Sequence, residues 1–208
     1  MNIKKSGFTL VELLVVMGVM ALFGTLIVTI FSRTLKGSNK SQIIGVIKQN
    51  GQAILETMDK TIRDSDKVVC WSQDKKTLMI VKNGIYTRYR FIDPDPPITP
   101  TANGKIEQDN PTKESVGTVD NTNYTLSTDP DFINKLCASS DQLINPVILT
   151  DTNLQTGVSV EGSFSINRSA GFMDQATINF NIKPGIGAPQ SVTGQIDPVI
   201  FKTTIQLR

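Results

Sequence analysis

The sequence contains no histidine and only two cysteines, and both shortages narrow the chemistry that it can carry. Without histidine there is no histidine general base, no serine–histidine–aspartate triad and no histidine-ligated metal. Cys70 and Cys137 fit neither a four-cysteine zinc pattern nor a Cys-x-x-Cys redox motif. A phosphate-binding loop of the pattern G-x-x-x-x-G-K-[ST] is missing as well. The sequence therefore predicts no enzyme, no metal site and no cofactor.

Charge is nearly absent from a long apolar run near the N-terminus. From Leu13 to Phe31 there are nineteen residues without a charge, and about 20 apolar residues in a helix span a hydrocarbon core. Glu12 lies at the head of this run, where an ionisable group is costly unless it finds a partner. The sequence therefore predicts an anchor helix over residues 8–31 in which Glu12 has a function. An ordinary secretory signal is disfavoured. Such a signal has an apolar run of about 7–15 residues followed by an A-x-A-like site, whereas the run here is longer and no such site follows it.

Residues 4–16, with the sequence KKSGFTLVELLVV, resemble the N-terminal signature of type IV pilins and pseudopilins. The signature consists of a short basic leader, a glycine, an aromatic residue and a glutamate at the fifth position of the mature chain. The resemblance implies that a prepilin peptidase removes the leader, residues 1–7, by cutting after Gly7, and methylates the new N-terminus at Phe8. It also implies that Glu12 pairs with the N-terminal amine of a neighbouring subunit.

A second helical segment follows the apolar run. Apolar residues recur at spacings of three and four, which places them on one face of a helix; they are Ile43, Ile44, Ile47, Ile54, Leu55, Met58 and Ile62. No proline occurs before Pro94. We therefore expect one helix over residues 8–63, in which an amphipathic half over residues 32–64 packs against a head.

Basic residues follow the anchor, whereas the head is slightly acidic. Arg33, Lys36, Lys40 and Lys48 form a basic collar, which we expect to contact anionic lipid head groups. From Gly51 onward there are 15 basic and 18 acidic residues. Because a DNA-binding surface normally has a basic excess, this balance argues against nucleic acid as a partner.

Residues 65–208 are expected to form a β-rich head of about six or seven strands. The clearest signal is a hairpin of residues 77–82 and 85–91, because Asn83-Gly84 supplies the positive φ values of a two-residue turn. Further strands are predicted at residues 68–71, 145–150, 158–167, 176–183 and 199–208, with a hairpin loop at residues 169–174. The predicted class is α+β, a long N-terminal helix packed on a mostly antiparallel sheet, as in the pilin fold.

Two features of the head suggest binding sites, but the sequence favours ordinary solvent-exposed residues for both. Arg88 and Arg90 alternate with tyrosines in the hairpin, which favours a solvated strand face over a nucleic-acid surface. Residues 93–131 are rich in proline, glycine and asparagine and predict a long loop with little core. Its carboxylates lack the spacing of an EF-hand, which favours solvated side chains over a calcium site.

The sequence leaves the pairing of Cys70 with Cys137 open. An extracytoplasmic head would lie in an oxidising compartment that permits a disulfide, which would close a loop of about 68 residues and contribute about 2–4 kcal/mol. The alternative is two independent buried thiols, because the sequence does not show how closely the two Cα atoms approach.

The resemblance implies an assembly subunit. Its partners would be other pilins or pseudopilins through the N-terminal helix, the prepilin peptidase, and an inner-membrane platform powered by a separate cytoplasmic ATPase. Its location would be the bacterial inner membrane, single-pass, with a cytoplasmic N-terminus and an extracytoplasmic head, and then the filament. Since basic residues flank the apolar run on both sides, this orientation rests on the resemblance.

The particular subunit type is a finer question. The size of the head and the C-terminal strand resemble minor pilins and J-type pseudopilins of type II secretion, which predicts a role at the tip or in initiation of the filament. The alternatives are a major structural pilin, or a pilin that binds DNA or a surface in competence or attachment.

Overall fold

The computed structural model describes residues 9–95, 101–111, 136–138, 143–189, 194 and 196–207. These residues form one α-helix, α1 (Leu10–Arg63), and eight β-strands. The strands are β1 (Lys67–Trp71), β2 (Thr77–Lys82), β3 (Ile85–Ile92), β4 (Lys105–Asp109), β5 (Val147–Ile148), β6 (Val158–Asn167), β7 (Gln175–Pro184) and β8 (Val199–Gln206). The chain divides into two compact units, Met1–Gln42 and Ile43–Arg208.

In the first unit, α1 is apolar and exposed all round. Between Leu10 and Phe31 the large apolar side chains range from 45 % exposed at Val19 to 81 % at Leu10. Within the described part of the chain, α1 is the one helix that is long and apolar enough to cross a membrane. The predicted apolar helix is therefore present, although its expected first residue, Phe8, lies outside the described residues.

In the second unit, α1 is amphipathic, as its periodicity predicts. The buried positions follow a spacing of three or four residues, namely Ile47, Gly51, Ile54, Met58 and Ile62. They pack into the main hydrophobic core together with residues of both sheets.

Five strands form an antiparallel sheet in the order β1-β2-β3-β4-β5. The predicted hairpin is confirmed, because Lys82 pairs with Ile85 and the two turn residues, Asn83 and Gly84, have φ values of 48° and 78°. The interpretation of residues 93–131 as a loop with little core was wrong where β4 lies. β4 contains a single large apolar residue, Ile106, which is fully buried, so its sequence shows no strand periodicity.

The other three strands form an antiparallel sheet in the order β6-β7-β8. β6 and β7 pair over their whole length, from Val158↔Pro184 to Asn167↔Gln175, and the predicted loop at residues 169–174 joins them. At its base Arg168 hydrogen-bonds Asp174 through Nε and Nη2, both at 2.9 Å. This hydrogen bond lowers the pKa of the Asp174 carboxyl.

Aromatic side chains join the two sheets in the core. The ring of Phe91 on β3 lies 4.8 Å from that of Phe164 on β6 and 6.1 Å from that of Phe180 on β7, measured between centroids. The α+β class is confirmed: a long apolar N-terminal helix followed by antiparallel sheets, as in a pilin-like fold. The described residues form eight strands where the sequence predicts about six or seven, because β4 was not predicted.

The prediction that Arg88 and Arg90 lie on a solvated face was also wrong. Arg88 is fully buried and Arg90 is 8 % exposed. Arg88 forms a two-pronged ion pair with Asp109 on the neighbouring strand β4, with nitrogen–oxygen distances of 2.9 and 2.6 Å. Residues 136–138 cover this face, since Arg88 donates to the carbonyl of Leu136 at 2.7 Å and Arg90 to that of Ala138 at 2.9 Å.

The expectation that the carboxylates of residues 93–131 are solvated was also wrong for Glu107 and Asp109, which lie on β4. Asp109 accepts the backbone N–H of Ile144 at 2.9 Å in addition to the guanidinium of Arg88. Glu107 is 6 % exposed and pairs with Lys105 at 2.6 Å. Asp109 thus holds β3 and the segment at Ile144 against β4, whereas Glu107 pairs within β4 itself.

Of the two possibilities for the cysteines, the structure shows the disulfide. Cys70 and Cys137 are bonded, with their Cα atoms 6.0 Å apart. The bond lies in a small apolar cluster with Met79 and Leu136. The disulfide therefore fixes the same segment, residues 136–138, whose carbonyl groups accept hydrogen bonds from Arg88 and Arg90.

Candidate functional site

The N-terminal end of α1 carries the residue that the sequence singles out. Glu12 is exposed in the first turn of the helix, and one of its carboxylate oxygens accepts two hydrogen bonds from Thr9. The donors are the backbone N–H and the hydroxyl of Thr9, each 2.9 Å away. In return, the N–H of Glu12 donates to the Thr9 hydroxyl oxygen at 3.3 Å.

This reciprocal arrangement is a capping box, in which the residue before the helix and the third helical residue satisfy each other's backbone donors. The first helical bond follows it, from the N–H of Leu13 to the carbonyl of Thr9 at 3.2 Å. Thr9 was missed from sequence as a partner of Glu12. The T-x-x-E spacing before an apolar run was the signal that could have identified it.

Two other predicted site residues are not placed. Gly7 and Phe8, where the resemblance locates cleavage and methylation, lie outside the described residues. Cleavage after Gly7 would leave Thr9 second in the mature chain and Glu12 fifth, so the capping box would lie within one turn of the new amine.

Polar groups on the apolar segment of α1 are satisfied within the helix. The hydroxyls of Thr25 and Thr29 on this segment, and of Thr34 just beyond it, donate to carbonyls three or four residues earlier, at distances of 2.8, 2.8 and 3.0 Å. A helix surface in lipid, or in a bundle of similar helices, requires this, because no water is available there to pair with exposed polar groups. The segment is chemically suited to both environments.

The basic collar lies beyond this apolar segment. Arg33, Lys36 and Lys48 are exposed and Lys40 is half-exposed. No group of three or more metal-ligating side chains occurs among the residues that the structure describes, and residues 96–100 and 112–131 of the loop considered for calcium lie outside them.

An exposed apolar helix with a capped acidic residue at its start, followed by a β-rich second unit, is the architecture of the pilin-like α+β class. Residues 2–28 match the family model described as the prokaryotic N-terminal methylation motif, which is the signal of type IV pilins and pseudopilins. The chain therefore carries a pilin-type signal and has a pilin-like fold. Comparisons with curated proteins and with solved structures gave no match.

Proposed function

We propose that this protein is a minor pilin or pseudopilin that assembles through α1 into a type IV pilus or a type II secretion pseudopilus, at its tip or during its initiation. The observation that carries the proposal is Glu12, a carboxylate at the start of the otherwise apolar and exposed segment of α1 that ends at Phe31. The methylation motif at residues 2–28 supports the same assignment and points to a structural subunit rather than an enzyme.

Assembly would follow from the electrostatics of the N-terminus. Before assembly, Thr9 partly satisfies the Glu12 carboxylate within the same chain. After cleavage, the amine of Phe8 on a neighbouring subunit would offer a full charge. A carboxylate and an ammonium that are each costly to bury alone can be buried together as a hydrogen-bonded pair. Glu12 would therefore set the register between subunits, while the apolar side chains from Leu10 to Phe31 pack the filament core.

The proposed topology places the N-terminus in the cytoplasm and the head outside the inner membrane. The disulfide between Cys70 and Cys137 supports an extracytoplasmic head, because disulfides persist in oxidising compartments. The basic collar would contact lipid head groups until the subunit leaves the membrane. An inner-membrane platform with a separate cytoplasmic ATPase would supply the energy for that step.

Substitution of Gly7 tests processing. We expect Gly7→Leu to leave residues 1–7 on the protein, because a bulky side chain would block the peptidase at the cleavage site. Mass spectrometry of the purified protein would identify the N-terminus and its methylation. Gly18→Ala is the matched control, since a Cβ at Gly18 meets no atom within 4 Å. Normal cleavage of Gly7→Leu would refute processing at this bond.

Substitution of Glu12 tests assembly. We expect Glu12→Ala to be processed normally but to enter sheared filaments at least about tenfold less than the parent protein, because the amine of the neighbour loses its charged partner. Quantitative immunoblotting of filament and membrane fractions measures both steps. Thr29→Ala is a control on the same exposed helix. Unchanged incorporation of Glu12→Ala would disprove the pairing role.

The minor role has its own test in the same fractions. A tip or initiation subunit should be present in far fewer copies than the main filament subunit, and its deletion should reduce the number of filaments. If this chain is the most abundant protein of the sheared filament, it is the major pilin instead.

A further inference from the structure

Strand β8 presents a long sheet edge that pairs with no other strand in the described part of the chain. Its eight residues pair with β7 in continuous register on one side. A bulge, a proline or a short length commonly protects such an edge. The edge strand β1 has a register shift between Val68 and Cys70, and the edge strand β5 has only two residues. β8 has neither a bulge, nor a proline, nor a short length, and the one charged side chain on it, which can also protect an edge, is Lys202.

The register shows which backbone groups face the open side of β8. The N–H of Leu207 donates to the carbonyl of Asp174 across the β7–β8 ladder at 3.0 Å. Because residues of an antiparallel ladder alternately face their partner strand and face away from it, four residues direct their N–H and C=O groups outward: Ile200, Lys202, Thr204 and Gln206. Thr204 is therefore opposite Thr177 in a pair without backbone hydrogen bonds between the two residues. Side chains approach closely in such pairs, and the hydroxyls of Thr177 and Thr204 lie 2.9 Å apart.

A groove of about 430 Å³ runs beside the same edge. Its lining residues are Gln52, Leu55, Glu56 and Asp59 of α1 and Thr203 of β8. No residue of β7 contributes, so the groove lies at the margin of the sheet. Phe201 closes against α1 at Gly51, whereas Thr203, two residues further along β8, leaves a gap to the helix.

The groove has a defined chemical character. Leu55 is half-buried and packs against the main core, which gives the groove an apolar floor. Glu56 is exposed and, within the described residues, forms no ion pair, while Asp59 pairs with Arg63 at 2.7 Å. An occupant with a basic residue would therefore meet one or two carboxylates on the helix.

We propose that β8 and this groove form a docking site for an extended, basic segment of a partner protein, which adds to the sheet as a strand beside β8. Strand addition of this kind uses the edge backbone for affinity and alternate side chains for selectivity. Every second side chain of the added strand faces α1, where Leu55 accepts an apolar group and Glu56 and Asp59 accept a lysine or arginine. The site is separate from the N-terminal helix residues through which the subunit assembles.

The probe for this site is a synthetic ten-residue peptide in which valine and lysine alternate with threonine. It is added to the full chain in detergent micelles, and amide hydrogen exchange is followed residue by residue. We expect slower exchange at the four outward-facing amides of β8 and little change in β2 and β3. The same peptide with glutamate in place of lysine should bind at least about tenfold more weakly.

Two changes distinguish strand addition from simple charge attraction. Lys202→Pro removes an outward N–H but spares the β7 ladder, as proline can at an edge, and should weaken binding about tenfold more than Lys202→Ala. A peptide N-methylated on the edge that faces β8 makes the same test on unmodified protein. The proposal is overturned if the peptide fails to bind at millimolar concentration, or if the Lys202→Pro variant and the N-methylated peptide show normal binding. It is also overturned if the outward amides of β8 become protected when the protein concentration alone is raised, because that result would assign the edge to a second copy of this chain.

Discussion

At the scale of single residues, the ion pair of Arg88 and Asp109 is the main polar element of the head interior. Both side chains are fully buried; Arg88 also donates to the carbonyl of Leu136, and Asp109 also accepts from the N–H of Ile144. Removal of one partner from such a pair leaves an uncompensated buried charge, which costs more than the pair itself contributes. The pair thus determines how residues 136–138 and 143–148 lie on the sheet.

We predict that Arg88→Met lowers the free energy of unfolding by about 3–5 kcal/mol, because the Asp109 carboxylate then lies buried without a charge partner. Urea unfolding followed by the fluorescence of Trp71, the one tryptophan of the sequence, measures the loss. Arg63→Met is the control. Arg63 also forms an ion pair, with 2.7 Å between its Nη2 and Oδ1 of Asp59, but that pair lies on the surface, where ion pairs contribute little to stability.

The double variant Arg88→Met with Asp109→Leu sharpens the same prediction. Because it removes both charges, it should be more stable than Arg88→Met alone. A loss below about 1 kcal/mol in Arg88→Met, or a double variant that is less stable than the single one, would contradict the role assigned to the pair.

At the scale of elements, the contact between α1 and β8 depends on the glycine at position 51. A Cβ built at Gly51 would overlap the ring of Phe201, whereas a Cβ at Gly45, less than two turns earlier, meets nothing within 4 Å. The same ring stacks on Phe180 with centroids 5.2 Å apart, so it has little room to move away. Gly51 is therefore a packing requirement despite the cost of a glycine in a helix.

We predict opposite effects for two identical substitutions in this helix. Gly51→Ala should lower the free energy of unfolding by about 1–3 kcal/mol, as expected for overpacking. Gly45→Ala should raise it by about 0.5–1 kcal/mol through helix propensity. Urea unfolding of both variants under one set of conditions measures the difference. Equal stability of the two variants would mean that Phe201 does not limit the approach of the helix.

These elements also show where sequence reasoning succeeds and fails. The hairpin of β2 and β3 was predictable because Asn83-Gly84 is a local signal, and the strands β6 and β7 because their apolar residues alternate. β4 was not, since its own Asp109 is polar at a buried position, and only the ion pair with Arg88 on β3 makes that burial possible. At the N-terminus, Glu12 was recognisable from its costly place in an apolar run, whereas the role of Thr9 required the T-x-x-E pattern to be read as a cap.

At the scale of the whole molecule, the two units differ in what stabilises them. Every residue of the main core lies at or after Ile43, including the half-buried ones that pack against it. The large apolar side chains from Leu10 to Phe31 are all exposed, so no other part of the described chain buries them. The residues that form the core of the head thus begin at Ile43, and the exposed apolar residues of α1 precede them in the sequence.

We therefore predict that residues 43–208, produced in an oxidising compartment, fold as a soluble protein with the disulfide between Cys70 and Cys137. Their free energy of unfolding should agree with that of the full chain in detergent to within about 1 kcal/mol, because residues removed by the truncation bury no apolar surface in the core. Circular dichroism, size-exclusion chromatography and urea unfolding make the comparison. A matched truncation at residue 55 removes Ile47, Gly51 and Ile54 from the core and should not fold. If residues 43–208 were also unfolded or aggregated, the head would need the exposed part of α1 for its own stability, and the separation of folding from anchoring would be wrong.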